Sequence, residues 1–515
     1  MRTQAASGRN FAVVSGHALA SEASLTVLKK GGNPVDAALA GAAVLTVALP
    51  HACTLGGDCF ILVHAKGRTR GLNGSGPSPA ALPADIKPEQ LSRGPLSSAV
   101  PGMLGAWQAL HKEFGSRPWA ELMAPAAALA RDGVPASREY VASLHMNLAP
   151  LLKDPGSRAL YLPDGRPPEV GATLRQPALA AAFEAVAKDG AAALYRGWIG
   201  ERLCQALGRL GGVMSRADLE AYAPIWVEPL KLGYRGLTVR VMPPNSYGLA
   251  LLLQLAALER SDLARWPVGS PERLRVLMLA ARAAFKIGAP YFADPRAVAD
   301  RLDEALSPAT LEALRAEVAR GASAAEPPRG RGTAVISVGN AAGEGVTIVQ
   351  SIFAPFGSFV SDAETGIVFN NRLFGFSTVP GHVNQATPAK RPAHTLSPAM
   401  AFEGDRLKYL LGTPGGSGQT ITLTQVLTGM VDHKLDLASA IAAPRWSMDL
   451  QGNFALEPEI EADMPAKLAA LGVAARPATE EQRYFFGSAE CIALDPKDGL
   501  LAVADFRREA AAAAG

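Results

Sequence analysis

The 515-residue chain, 48% apolar and 19% charged, is a well-buried globular protein. It is long enough for about two to four ordinary domains or one large layered core. A formal net charge of +3, with no basic stripe carrying interleaved aromatics, excludes a nucleic-acid partner. The four cysteines, Cys53, Cys59, Cys204 and Cys491, show no CxxC or metal-ligand spacing and read as reduced, buried thiols.

The first residues, MRTQAASGRNFAVVSGHALASEAS, contain no continuous apolar run of the kind a secretory signal needs. Residues 16–30 read as a helix, followed by a turn at Gly31-Gly32-Asn33-Pro34 and a second, alanine-rich helix opening near Asp36. That helix, AALAGAAVLTVALP, is the longest uncharged apolar stretch and is too short to span a bilayer. The expectation is a buried helix, no membrane partner and a cytoplasmic protein. HACTLGGDCFILVHA then gives a Gly-Gly turn and a strand, with RTRGLNGSG as its hairpin partner.

From Val100 to about Ala185 the pattern is helical, broken by expected loops at 150–157 and 163–168. A further helical region, 191–219, precedes a strand pair around LKLGYRGLTVRVMPP. Residues 247–320 are almost wholly helical by period. Past residue 332 the chain becomes strand-rich: AVISV, GVTIVQSIF, TGIVFNN, PAMAFEG, LKYLLGTPGG, NFALEP, AECIALD and LLAVADFR, with helices at 419–430, 437–442 and 464–471. Helices first and strands later point to stacked sheets flanked by helices, and no repeat period suggests a solenoid or propeller.

The change of character falls at Gly332-Thr333. The run GASAAEPPRGRG has too little apolar content to pack and reads as an exposed linker, 321–332. Thr333 then opens a β-branched strand. Cutting the Gly332–Thr333 bond would place a hydroxyl nucleophile and a free amine on one residue, with the amine serving as base. An α-amino group, with a pKa of about 7.7–8, is suited to that task near neutral pH. Spacing alone does not decide this, because threonines that start strands are commonly β-formers.

Other segments carry groups with chemical potential. GTPGGSGQT lies between a strand and a helix, and Gly415 and Gly416 could aim N–H groups at a phosphate or an oxyanion, or form a plain turn. The lysine and spacing of a phosphate-binding Walker loop are missing. His394, Thr395 and Ser397 in KRPAHTLSPAM are polar groups at the mouth of a sheet. Arg372, in NNR, could grip a carboxylate in a bidentate fork or be a surface charge. GxSxG, HExxH and metal-ligand clusters are absent, so a serine-hydrolase elbow and a zinc site have no support.

Taken together and in order, these segments resemble the γ-glutamyltranspeptidase family of N-terminal-nucleophile hydrolases. GGNPVDAALAGAAVLTVALPHACTLGGDCFILVH, VPGMLGAWQALHKEFGSRPWAELMAPAAALARDGVPAS, FGSFVSDAETGIVFNNRLFGFS, KRPAHTLSPAM, LGTPGGSGQTITLTQVL and APRW carry the likeness over nearly the whole chain. The resemblance implies an αββα sandwich made as one precursor. Self-cleavage would give a large subunit, 1–332, and a small one, 333–515, partners in a heterodimer that could itself pair. No metal or organic cofactor is implied. The nucleophile maps onto Thr333, although the family's Thr-Thr-His start reads Thr333-Ala334-Val335. The oxyanion donors map onto Gly415 and Gly416, and the supporting hydroxyl onto Ser351 in place of threonine.

The substrate side departs from the family. The arginine that grips the glutamyl α-carboxylate falls at about Ser75, beside Asn73, and the aspartate that reads the α-amino group falls at Gly375. The serine pair has become His394-Thr395. Losing two charged anchors, each worth about 1.5–3 kcal/mol, weakens γ-glutamyl recognition by roughly a hundredfold or more. Arg372, His394 and Thr395 instead resemble a branch that includes oxamate amidohydrolase-like enzymes. The expectation is an autoprocessed amidohydrolase acting on a small acid amide. The alternatives are a glutathione hydrolase using substitute contacts and an unprocessed binding protein.

Overall fold

A computed structural model describes residues 3–321, 332–449 and 451–515. Most of the expected linker, 321–332, therefore lies outside the described residues. Two seven-stranded sheets form the centre. One runs, in spatial order, Gln4–Gly8, Gly499–Ala504, Glu490–Asp495, Arg406–Gly412, Ala399–Glu403, Leu237–Val241 and Leu230–Tyr234. The other runs Ala511–Ala514, Phe11–Ser15, Gly332–Asn340, Gly345–Phe353, Asp58–Ala65, Arg68–Gly74 and Ile225–Val227. Both sheets take strands from either side of residue 332, so the sequence boundary does not divide the core.

Three apolar layers follow from the period-2 alternation of these strands. On the second sheet, Phe60, Leu62, Val335 and Val349 meet Met400, Phe402, Leu410 and Ile492 of the first sheet in the space between them. Their sequence neighbours Ile61, Val63, Ile336 and Ile348 point the other way, against the helices Pro34–Ala48, Met103–Phe114, Trp119–Asp132 and Pro177–Asp189. On the first sheet, Val239, Val241, Ala401 and Cys491 pack outward on Gly248–Leu258, Pro271–Gly288 and Gly418–His433. The result is the αββα sandwich.

The alanine-rich helix Pro34–Ala48 is buried along its whole length. It starts at a capping box, in which Asn33 Oδ1 accepts from the Asp36 N–H and Asp36 Oδ2 accepts from the Asn33 N–H, both at 3.0 Å. The hairpin that follows, Asp58–Ala65 with Arg68–Gly74, pairs as its sequence indicates. One expected loop is wrong. Residues 150–157 are largely helical, in Leu148–Lys153 and Pro155–Tyr161. Pro155 sits at a first helical position, where its missing N–H costs nothing, and the Asp154 carboxylate caps Ser157 N–H at 2.7 Å. The prolines punctuate two short helices there without abolishing them. All four cysteines are free thiols; Cys53, Cys59 and Cys491 are buried and Cys204 is half-buried.

Candidate active site

Thr333 lies one residue inside the first strand after the undescribed segment, on an irregular stretch of the ladder. Gly332 pairs with Phe353 and Ala334 pairs with Gln350, so Thr333 stands alone against Ser351 and Ile352 in a bulge. Bulges re-aim side chains and recur beside active sites. Thr333 is buried. The Ser351 hydroxyl donates to the carbonyl oxygen of Gly332 and accepts from the Phe353 N–H at 2.7 Å. Phe353 itself adopts a φ of +82°, a left-handed conformation that a bulky residue holds only where its surroundings enforce it. The carbonyl of the bond between Gly332 and Thr333 is thus hydrogen-bonded by Ser351, and Thr333 stands opposite the bulge.

Across the next ladder, Ser351 pairs directly with Asp58. Asp58 is fully buried, and its carboxylate takes the Arg372 Nε at 2.7 Å and Nη2 at 2.8 Å. Arg372 is no surface charge: it is fully buried, with its guanidinium 4.6 Å over the Phe353 ring. Asp58, and not an open fork, therefore occupies the bidentate face of Arg372. The remaining nitrogen, Nη1, is buried without a hydrogen-bond partner among the described residues. His394 completes the cluster, with Nε2 2.9 Å from Asp58 Oδ2, although this contact is not aligned as a hydrogen bond. Its Nδ1 accepts from the Leu396 N–H at 3.3 Å, which assigns the proton of the neutral ring to Nε2.

The electrostatics follow from the burial. Desolvation alone would raise the Asp58 pKa, but Arg372 and His394 outweigh it and hold the carboxyl at about 2. Desolvation, with the Arg372 charge beside it, lowers His394 to about 4, so the ring is neutral at physiological pH. The cluster is one carboxylate, one guanidinium and one neutral imidazole.

Asn73 and Ser75 form a separate, adjoining network. Asn73 Oδ1 accepts from the Ser75 N–H at 2.9 Å and from its hydroxyl at 2.6 Å, while Asn73 Nδ2 donates to Asn245 Oδ1 at 2.8 Å. Asn245 joins this network to the His394 loop. Its Nδ2 donates to the Pro392 carbonyl at 2.6 Å, and its own carbonyl accepts from the His394 N–H at 2.8 Å. Arg391 reaches the same place from another segment, donating from Nε to the Ser75 carbonyl at 3.0 Å. Thr395 is buried, and its carbonyl accepts from the Ser397 hydroxyl at 3.1 Å. At Gly375 an added Cβ would lie 2.6 Å from the Ala393 carbonyl oxygen, which leaves no room for a side chain.

The Gly415-Gly416 turn leaves the strand Arg406–Gly412, which faces the strand of Thr333 across the sandwich. Gly412 packs so closely on Val335, two residues from Thr333, that a Cβ there would meet Val335 Cγ1 at 2.5 Å. Gly415 and Gly416 have φ of +130° and +60°, which glycine alone adopts without strain. Their carbonyls accept from the Gly418 and Gln419 N–H groups at 3.0 and 3.2 Å. No backbone hydrogen bond from their own N–H groups is seen among the described residues. Among those residues no group of three His, Cys, Asp or Glu side chains is placed to hold a metal ion.

The gamma-glutamyltranspeptidase family model matches residues 20–515. The chain belongs to that family. It is 36% identical to the glutathione hydrolase-like YwrD proenzyme of Bacillus subtilis, over 85% of each chain. It is 32% identical to the oxamate amidohydrolase proenzyme of Klebsiella pneumoniae, over 86% of this chain and 88% of that one. In structure it matches cephalosporin acylase from Bacillus halodurans with a TM-score of 0.92 at 30% identity, covering 100% of this chain and 97% of that one. The protein is thus an amidohydrolase/acyltransferase of the gamma-glutamyltranspeptidase family with the N-terminal-nucleophile hydrolase fold. Sequence reading missed Asp58, Asn245 and Arg391. The available signal for Asp58 was a lone carboxylate at the head of an apolar strand, since a buried charge requires a partner.

Proposed function

We propose that the chain is a self-processing amidohydrolase whose nucleophile is Thr333 and whose substrate is the amide of a short acid, of the oxamate kind. In processing, the Thr333 hydroxyl attacks the Gly332 carbonyl carbon. The Ser351 hydroxyl supports the charge that develops on the carbonyl oxygen, the peptide nitrogen leaves as the Thr333 α-amine with the hydroxyl proton, and water hydrolyses the ester. In turnover, that amine takes the hydroxyl proton as Thr333 attacks the substrate amide. The Gly415 and Gly416 N–H groups hold the oxyanion, and the protonated amine returns the proton to the departing ammonia or amine. Water then releases the acyl group. No step calls for a metal or organic cofactor.

The observation that carries this reading is the Ser351 hydrogen bond to Gly332, in the bulge that faces Thr333. The relatives' names, oxamate amidohydrolase and glutathione hydrolase-like proenzymes, support a processed hydrolase. The pieces 1–332 and 333–515 would stay together, because both sheets draw strands from both pieces. Against the glutathione hydrolase alternative stand Gly375, with no space for an aspartate, and Ser75, whose hydroxyl is committed to Asn73. The deciding experiment compares ammonia release from oxamate with chromophore release from a γ-glutamyl anilide, on protein whose small chain has been checked by mass spectrometry. Faster anilide cleavage would reverse the substrate assignment.

A further inference from the structure

The buried cluster beside Ser351 has a charge balance that bears on which acyl groups it admits, an inference that rests on the amidohydrolase reading above. Asp58, Arg372 and His394 are each fully buried, and the carboxylate lies against two of the three guanidinium nitrogens, Nε and Nη2. Arg372 keeps its proton under all ordinary conditions. The carboxylate cancels that charge, and the third member is a neutral ring. Nη1 remains a buried donor without a partner among the described residues, on a guanidinium whose central carbon lies 4.6 Å over the ring of Phe353, the residue that pairs with Gly332. Such a donor calls for an oxygen acceptor.

We propose that Asp58 is a specificity-determining residue: by balancing Arg372 it makes the acyl pocket charge-neutral, so that it takes uncharged short-chain amides alongside anionic ones. An incoming carboxylate satisfies Nη1 but brings a net charge into a buried site and is desolvated at a cost. An uncharged amide oxygen satisfies Nη1 without that cost. Were Arg372 unbalanced, the anion would win by a wide margin.

Oxamate and oxamide test this directly, since they share a size and an amide and differ by one carboxylate. Ammonia release is measured for both with wild-type protein, Asp58→Asn, Arg372→Gln and the double variant. The wild type should show kcat/KM values for the two within about tenfold of each other. Asp58→Asn leaves Arg372 unbalanced and should raise the oxamate-to-oxamide ratio at least about tenfold, mainly through KM. Arg372→Gln leaves Asp58 unbalanced and should move the ratio the same distance the other way, and the double variant should return it to near the wild-type value. A purely structural role would change both substrates in parallel and leave the ratio fixed, which overturns the proposal. Should Asp58→Asn not fold, the opposite shift in Arg372→Gln still decides. If wild-type protein cleaves neither compound, the oxamate-type function fails by itself. The charge preference is then read from the thermal shift each ligand produces, where equal shifts across all variants refute it.

Discussion

Asp58 and Ser351 stand directly opposite each other in the ladder between Asp58–Ala65 and Gly345–Phe353, and their side chains bond in two different directions. Ser351 reaches along the sheet to the carbonyl of Gly332, while Asp58 reaches across to Arg372 and His394. The hydroxyl proposed to act on the Gly332–Thr333 bond and the carboxylate proposed to set the charge of the acyl site are therefore fixed by one register. Slipping either strand by one residue would turn its member of the pair to the helix-covered face and separate the two.

Thr333→Ala should give a single uncut chain with no amidase activity, because the Ser351 hydroxyl beside it is committed to the Gly332 carbonyl oxygen and cannot replace the lost nucleophile. Wild-type protein should run as two bands, and the N-terminus of the smaller, read by mass spectrometry, should be Thr333. An active preparation consisting only of intact chain would contradict the mechanism.

Ser351→Ala removes one donor to a developing oxyanion, an interaction worth about 10²–10³ in rate elsewhere. Processing should slow by that order, measured as the half-time of cleavage after refolding or cell-free synthesis. Ser351→Thr keeps the hydroxyl and should process within about tenfold of wild type. Equal rates for the alanine and threonine variants would remove Ser351 from the reaction.

His394 and Asp58 together predict loss of stability on acidification. Burial holds the folded-state pKa of His394 at about 4, below its usual 6.5, so the unfolded chain binds the proton first. This contribution is complete above pH 6.5 and lost as pH falls toward 4. Asp58 is depressed from 3.8 to about 2, and its contribution is lost over that lower range. The melting temperature should fall from pH 6.5 to 4, and His394→Gln should flatten that part of the profile. An unchanged slope in the variant would show that other groups dominate.

The architecture was largely legible in the chain itself. The β-branched apolar runs AVISV and GVTIVQSI, the alanine-rich run after Pro34 and the hairpin around Arg68 each name their element, because local composition and turn signals agree in each. Residues 150–157 were misread because Pro150 and Pro155 suggest breaks, whereas Pro155 at a first helical position favours a helix. Glycine pairs and a threonine at a strand start are local signals, which is why Thr333, Gly415 and Gly416 could be singled out. Asp58 could not be tied to Arg372 and His394, which are 314 and 336 positions away in sequence, without the sheet register that joins them. The bulge at Thr333 and the left-handed Phe353 are properties of the paired strands, with no signature in either strand alone.

Gly375→Asp tests whether this site can be returned to γ-glutamyl recognition. The aspartate that reads the substrate α-amino group in related enzymes falls at this position, so the change restores a familiar anchor on paper. The backbone opposes it: a Cβ at residue 375 would come within 2.6 Å of the Ala393 carbonyl oxygen, next to His394. Real Cβ atoms do not approach backbone oxygens so closely, so the 391–395 loop must shift. That shift would disturb the Asn245 contacts to Pro392 and His394 and the His394 approach to Asp58. Gly375→Asp should therefore lose about 1–3 kcal/mol of stability by overpacking and gain no γ-glutamyl anilide cleavage. Chemical denaturation and an anilide assay check the two halves separately. A stable variant that cleaves the anilide would mean that the loop yields easily and that the missing aspartate alone bars γ-glutamyl substrates.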